Sequence, residues 1–265
     1  MQSFENNKTI TSVKIKENIT ESCFRNCNNL QEVIIEKGVK FLPPFSFSLS
    51  GVKEISLPES VETIGQYAFE KCGGLQSVTL KGKTALQQGA FYGCHALKEI
   101  NGLQNADEIE AGAFCGCRSL QSIKLHEDMQ EIKEYTFACC QNLESVKFPD
   151  ALRRIGRHAF RFCESIAELQ LPQSVEFIDN YAFASCSSLT EVILPPNITH
   201  IGSYAFEDCL NLQRIVLPVN LKTIGKRVFW GCDNLKQVVF QSRVPLYDRA
   251  PLFDCNSDVQ IITSF

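Results

Sequence analysis

The chain of 265 residues is 44% hydrophobic and 21% charged, a composition typical of a folded soluble protein and unlike that of a disordered one. Its formal net charge of −4 at pH 7 disfavours a general nucleic-acid binder, which needs a basic face to release counterions from phosphates. No apolar run approaches the roughly 18 residues that a transmembrane helix needs, so we expect no membrane insertion. Residues Met1 to Lys8 are polar and lack the apolar stretch of a signal peptide.

The dominant feature is an internal repeat of 22 or 23 residues, which determines the architecture of the whole chain. Segments that begin at Leu57, Leu171 and Leu194 show it clearly: LPESVETIGQYAFEKCGGL, LPQSVEFIDNYAFASCSSL and LPPNITHIGSYAFEDCLNL. Each repeat is anchored by a phenylalanine that usually follows an alanine. The anchors are Phe24, Phe47, Phe69, Phe91, Phe114, Phe137, Phe160, Phe183, Phe206 and Phe229, with Phe253 as a degenerate final member.

Each repeat predicts the same elements in the same order. The pattern L-x-x-V-x-L, as in Leu189, Val192 and Leu194, predicts a short strand with one buried face. A proline then marks the end of the strand, and an aliphatic residue five positions before the next anchor marks an extended return segment. The A-F-x-x-C segment that follows predicts a short helical stretch. A glycine often follows the return isoleucine, as at Gly65 and Gly202, and we expect a positive φ there.

A coil of this kind has no second layer of its own, so neighbouring coils must stack to bury a continuous core. The unit L-x-x-[VI]-x-[LF]-P-x-x-[VIL]-x-x-I-G-x-x-A-F-x-x-C-x-x-L resembles the BspA-like, or Treponema pallidum type, leucine-rich repeats from about Ile10 to the C-terminus. The resemblance implies an α/β repeat solenoid, a right-handed leucine-rich-repeat superhelix of about eleven coils of 22–24 residues. A parallel sheet would form its concave face, and short helical or irregular segments its convex face.

We predict one leucine-rich-repeat domain over residues 1–265. Residues 1–9 would form an N-terminal edge, residues 10–240 the regular coils and residues 241–265 a variant terminal coil, which the resemblance also suggests.

Nine of the thirteen cysteines occupy one slot, three residues after an anchor, so stacking places their side chains in parallel about 4.8 Å apart. A disulfide needs Cβ atoms nearer to about 3.8 Å that point toward each other, so we predict a ladder of free, buried thiols. Cys23, Cys115, Cys139 and Cys255 lie outside the slot, and we expect structural or incidental roles for them. Because no C-x-x-C pair is present, we expect no zinc site, and the sequence implies no other metal and no cofactor.

Motifs typical of enzymes are weak in this sequence. Gly82, Lys83 and Thr84 look like the end of a phosphate-binding loop, but Ser77 stands where that motif requires a glycine. Carboxylates are scattered over outward positions, with no pair singled out for acid–base chemistry. We therefore predict that the protein is not an enzyme.

The second and fourth residues after the first leucine of each strand point away from the core, and stacking turns them into two stripes on the sheet. In the second stripe three consecutive positions are apolar, and an exposed apolar row often marks a binding site. Coverage by the terminal coil or by a neighbouring domain, or β-propensity alone, are the alternatives. Lys124, His126 and Lys147, which precede the apolar row in the chain, form a mildly basic patch. The candidate partner-binding residues are Ile193, Val216, Val239, Glu168, Glu191, Arg214, Lys124 and Lys147.

The leading hypothesis is a non-enzymatic scaffold that binds a protein. The family resemblance implies adhesion or interaction with host proteins at the surface of a bacterium or parasitic protist, or after secretion, with a cytoplasmic location as the alternative. A structural spacer and a carbohydrate-binding module are the competing functions. Aromatic side chains are missing from both stripes, so a carbohydrate would bind instead at the tyrosine edge: Tyr67, Tyr135, Tyr181 and Tyr204.

Overall fold

The computed structural model describes residues 3–241 and 259–263. Each of its two compact units is a stack of coils of the predicted repeat, so the predicted solenoid architecture is confirmed. The prediction of a single domain stays a prediction. Phe253 and Cys255, which belong to the predicted terminal coil, lie outside the described residues. The first unit comprises Met1–His126 and Cys139–Gln141, and the second Glu127–Ala138 and Asn142–Phe265.

In the first unit, long strands of three or four residues alternate along the chain with short strands of two. The strands are β1 (Ser12–Ile15), β2 (Glu32–Ile35), β3 (Phe41–Leu42), β4 (Glu54–Leu57), β5 (Thr63–Ile64), β6 (Ser77–Leu80), β7 (Ala85–Leu86), β8 (Glu99–Asn101) and β9 (Ser122–Lys124). Long strands pair in parallel with long strands, as in β4-β6-β8, and short strands with short strands, as in β3-β5-β7. Glu54, Ser77 and Glu99 are in register, as the repeat predicts.

The second unit repeats the same arrangement. Its strands are β10 (Glu131–Ile132), β11 (Ser145–Lys147), β12 (Arg154–Ile155), β13 (Phe177–Ile178), β14 (Glu191–Ile193), β15 (His200–Ile201), β16 (Arg214–Leu217), β17 (Thr223–Ile224), β18 (Gln237–Phe240) and β19 (Gln260–Thr263). Five short strands form one parallel sheet, β10-β12-β13-β15-β17, and four long strands form another, β14-β16-β18-β19. β19 belongs to the predicted terminal coil, and its pairing shows that this segment continues the strand ladder.

The core of each unit is a column of anchor phenylalanines between the two strand edges. In the first unit, the rings from Phe24 to Phe114 stack with centroids 5.2–5.5 Å apart and planes within 9° of parallel. Phe160 in the second unit stacks in the same way on Phe137 at 5.5 Å and on Phe183 at 5.4 Å. All of these rings are fully buried. Apolar burial and ring stacking between coils therefore stabilise an arrangement that no single coil achieves.

The A-F-x-x-C segments are chains of tight turns, so the prediction of helical segments is wrong. In the coil of Phe69, Glu70 N–H donates to the Tyr67 carbonyl at 3.0 Å, and Cys72 N–H donates to the Phe69 carbonyl at 3.2 Å. Tyr67 and Lys71 both have a φ of 53°, in the left-handed region, which interrupts any helix. The apolar spacing in so short a segment fits a turn spiral as well as one turn of helix.

Helix is correspondingly scarce in the described residues, which contain one 3₁₀ turn at Leu103–Asn105. The α component of the predicted α/β class is therefore wrong, and the units are β-solenoids with turn-rich connections. No helix in the described part of the chain is long and apolar enough to cross a membrane.

The glycines after the return isoleucine are required by crowding and not by a positive φ, which corrects the prediction for Gly65 and Gly202. A Cβ added at Gly65 would lie 2.7 Å from the Leu42 carbonyl oxygen of the preceding coil. At Gly202 it would lie 2.4 Å from the Asn180 backbone nitrogen. Backbone from one coil thus packs directly on backbone from the next, and only glycine leaves room for it.

The nine slot cysteines are free and fully buried, as predicted. Their thiols also make a contact that the sequence does not reveal. Cys72 Sγ donates to the Phe47 carbonyl oxygen at 3.0 Å, and Cys94 Sγ donates to the Phe69 carbonyl oxygen at 3.0 Å. The slot therefore selects a small apolar side chain that can still donate a hydrogen bond to the preceding coil. The nine are Cys27, Cys72, Cys94, Cys117, Cys140, Cys163, Cys186, Cys209 and Cys232.

The predicted N-terminal edge contains part of a further coil. The Phe4 ring stacks on Phe24 at 5.6 Å, and the Phe4 carbonyl oxygen accepts the Cys27 thiol at 3.0 Å. Asn6 has the left-handed φ of 64° that the residue two after an anchor adopts elsewhere. The repeat search missed this coil because Asn7 replaces the slot cysteine.

Candidate binding surface on the long strands

Outward side chains of the long strands form the two predicted stripes within each unit. In the second unit the first stripe carries charge. Glu168 forms an isolated bridge with Glu191, and Glu191 is in register with Arg214. The Arg214 guanidinium forms an ion pair with Glu191, and these two side chains are 40% and 51% exposed. The Glu168 carboxylate accepts the side-chain amide of Gln170 at 3.4 Å.

The second stripe of this unit contains three consecutive apolar residues, of which Ile193 alone is open to solvent. Ile193 is 61% exposed, whereas Val216 is 5% and Val239 8% exposed. The expectation that all three are exposed is therefore wrong. Val216 lies in register between Ile193 and Val239, and Val239 lies in register between Val216 and Ile262 of β19. The contact with β19 supports, for Val239, the alternative of coverage by the terminal coil.

The predicted basic patch takes its residues from both units. Lys124 ends β9 and His126 closes the first unit, whereas Lys147 ends β11 in the second. Both lysines are exposed. The patch as a joint surface stays a prediction.

The first unit offers a matched position for comparison. Ile34 on β2 belongs to the same stripe as Ile193 and is 47% exposed. It is in register with Lys14, whose ammonium pairs with Glu36 at 2.5 Å. Ile34 and Ile193 are therefore exposed isoleucines beside charged groups at equivalent positions of the repeat, one in each unit.

Family comparison agrees with this geometry. The model of the BspA type leucine rich repeat region matches six copies over residues 1–102, 64–188 and 154–263. The chain belongs to this family. No curated protein matches it significantly.

Two solved structures are similar to this BspA-type protein. A leucine-rich repeat protein from Bacteroides ovatus is 26% identical with a TM-score of 0.52, over 98% of this chain and 85% of that one. The pneumococcal vaccine antigen PcpA is 20% identical with a TM-score of 0.60, over 96% of this chain and 74% of that one. The second similarity concerns the fold alone.

The tyrosine edge of this BspA-type chain is a stacked ladder in the second unit. The His158 ring lies between Tyr135 at 4.6 Å and Tyr181 at 4.7 Å, and Tyr181 stacks on Tyr204 at 4.7 Å. Arg227 donates to the Tyr204 hydroxyl at 3.4 Å. Because these rings cover one another's faces, the faces that a sugar would stack on are largely occupied. This geometry disfavours the carbohydrate-binding alternative.

His158 is the buried member of this ladder, with 5% of its surface exposed. Burial, together with the positive charges of Arg161 and Arg157, lowers the pKa of the imidazole to about 4. His158 is therefore neutral near pH 7 and stacks as an aromatic ring between two tyrosines.

Sequence reasoning missed two exposed aromatic residues on the short strands, Phe41 on β3, which is 43% exposed, and Phe177 on β13. Phe177 on β13 is 39% exposed and lies in register with Arg154 and His200. The signal was available, because Phe177 directly precedes the buried return residue Ile178, and alternation turns it outward.

The apparent phosphate-loop fragment is a packed turn. The Thr84 side chain is buried, and its hydroxyl donates to the Val61 carbonyl at 2.9 Å. A Cβ at Gly82 would lie 2.6 Å from the Glu59 carbonyl oxygen. Neither residue presents a cradle to a phosphate. Within the described residues, no three metal-ligating side chains converge on one point.

Proposed function

We propose that the chain is a non-enzymatic scaffold that binds a protein through the long-strand face of its second unit, centred on Ile193. The observation that carries the proposal is the 61% exposure of this isoleucine on a strand whose own coil is otherwise well packed. An apolar side chain held open on a rigid strand loses little conformational entropy when a partner covers it.

The surroundings of Ile193 have the composition of a contact surface. Glu191 and Arg214 form an exposed ion pair beside it, and Glu168 adds a second carboxylate. Apolar centres with a polar, charged rim are typical of protein interfaces. We extend the proposed surface to Val216 and Val239 only as packing support, because their side chains are buried. Lys124 and Lys147 remain proposed contributors to binding.

We place the protein at the cell surface or outside the cell, with the cytoplasm as the alternative. Supporting this placement, a structural relative is a pneumococcal vaccine antigen. Membership of a repeat family that generally serves as a scaffold supports binding over catalysis.

The test starts with a pull-down from host-cell and matrix extracts, using the wild type and an Ile193→Glu variant. The matched control is Ile34→Glu, which places the same charge at the equivalent position of the first unit. Thermal melts establish that all three proteins are folded. A partner lost only by Ile193→Glu supports the proposal, whereas equal retention by all three places binding elsewhere, and no partner at all favours the spacer function.

A further inference from the structure

The long-strand ladder of the second unit is interrupted between the coils of Phe137 and Phe160. Within the described part of this unit, β11 pairs with no strand on the side of residues 168–170, and the next coil contributes only the bridge from Glu168 to Glu191. Regular coils are joined by bonds such as Gln213 N–H to the Thr190 carbonyl at 2.8 Å. No equivalent bond joins Ala167 N–H to the Glu144 carbonyl.

The same two coils remain closed on their anchor side. Phe137 and Phe160 stack at 5.5 Å, and Cys163 Sγ donates to the Phe137 carbonyl at 3.2 Å. On the short strands, Glu131 is in register with Arg154. The opening is therefore a wedge confined to the long-strand side.

A cleft of about 340 Å³ fills this wedge. Val146, Phe148, Ile166 and Leu169 line it with apolar surface, and Glu144 and Glu168 are among its other lining residues. Val146 and Phe148 are only half-buried, whereas their counterparts Val192 and Leu194 are 0% and 3% exposed.

Phe148 lies beside the wedge. It occupies the strand position that holds a leucine in the next three coils, at Leu171, Leu194 and Leu217. Its ring meets the anchor Phe160 of the following coil edge-on, with centroids 5.8 Å apart. Phe240 occupies the same position in β18, which is paired on both sides, so a phenylalanine there does not by itself open the ladder.

We propose that this cleft binds an extended basic-apolar peptide, which pairs its main chain with the open edge of β11 and inserts an apolar side chain. The inference rests on the proposed function as a protein-binding scaffold, but not on Ile193. Unpaired strand edges bind extended peptides by strand addition, in which main-chain hydrogen bonds supply affinity and pockets supply specificity. The two carboxylates and the apolar lining define the side chains that fit.

The test measures fluorescence anisotropy of three labelled five-residue probes: Lys-Val-Lys-Val-Lys, its Glu-Val-Glu-Val-Glu counterpart, and the lysine peptide with N-methylated backbone amides. We expect saturable binding of the first probe only. Glu144→Gln combined with Glu168→Gln should weaken it about fivefold, the effect of two exposed charge contacts. The matched control, Glu54→Gln combined with Glu99→Gln, alters outward carboxylates of β4 and β8 in the first unit and should leave binding unchanged.

Phe148→Leu removes an aromatic ring from the cleft lining and should weaken binding while the protein stays folded. Phe240→Leu makes the same change at a closed position, β18, where we expect binding to persist. Absence of saturable binding to wild type, equal binding of the N-methylated probe, or full binding by a folded Phe148→Leu variant would each overturn the proposal. The Ile193→Glu variant should still bind the peptide. A negative peptide-binding result therefore does not contradict the proposed Ile193 surface, and a negative pull-down result does not contradict the proposed cleft.

Discussion

The carbonyl oxygen of Phe160 accepts two hydrogen bonds, one from Cys163 N–H of its own coil at 3.1 Å and one from the Cys186 thiol of the next coil at 3.3 Å. The first bond closes a turn, and the second joins two coils. Burial raises the pKa of the Cys186 thiol to about 12, so the group remains a protonated donor at neutral pH. The slot cysteines therefore couple turn formation to stacking.

Cys186→Ala removes this donor and leaves a small cavity, so we expect a loss of about 1–2 kcal/mol in the free energy of unfolding. Cys115→Ala is the control, because Cys115 is half-buried and lies outside the slot. The Cys115→Ala variant should lose less than about 0.5 kcal/mol in the free energy of unfolding. Urea denaturation of both variants measures the difference, and equal losses would mean that the slot bond contributes nothing measurable.

Phe160→Ala should cost about 3–5 kcal/mol, because the ring is fully buried between Phe137 and Phe183. Phe162 in the same coil is 36% exposed, and the Arg161 guanidinium carbon lies 4.7 Å from its ring centroid. Phe162→Ala should cost about 1 kcal/mol or less. Similar melting shifts for both would contradict the anchor-column core.

Gly202→Ala should destabilise the second unit by about 2 kcal/mol, because the new Cβ would lie 2.4 Å from the Asn180 backbone nitrogen. Gly74→Ala is the control, since its Cβ would meet the Gly51 carbonyl oxygen at an ordinary 3.7 Å. We expect that change to be tolerated. Thermal melts of the two variants distinguish crowding from a general intolerance of alanine.

His158 predicts a loss of stability in acid. Its folded-state pKa of about 4 is below the ordinary 6.5, so the unfolded chain binds the proton more readily. Neutral His158 therefore contributes to the free energy of unfolding above about pH 6.5. This contribution declines as the pH falls toward 4, and the total loss is about 3 kcal/mol. His158→Tyr, which copies Tyr135 and Tyr181, should remove this component. Parallel pH dependences of unfolding for wild type and variant would contradict the assignment.

Periodicity predicted most of the fold because every coil buries the same positions. It identified the anchors, the strand register and the buried thiols from Phe, Val and Cys spacing alone. The prediction of helix in the A-F-x-x-C segments failed because it depends on backbone conformation. Tyr67 and Lys71 have a left-handed φ, which an apolar pattern does not encode. It also failed for Gly65, where backbone approach and not φ sets the requirement.

The candidate site was predicted less well, for a physical reason. Alternation determines that Ile193, Val216 and Val239 share one face, but not what covers that face. Burial of the two valines depends on residues distant in sequence, and their exposures of 5% and 8% are invisible to a repeat pattern. The cleft beside Phe148 depends on whether β11 pairs with the coil that follows it, and the repeat pattern does not encode that pairing.

The most direct test of the central claim is the dissociation constant of a purified partner for the wild type, Ile193→Glu and Ile34→Glu. Burying a charge at a contact centred on Ile193 should weaken binding by at least about tenfold, whereas the same change at Ile34 should leave it within about twofold. Equal affinities for the wild type and a folded Ile193→Glu variant would contradict the proposed surface.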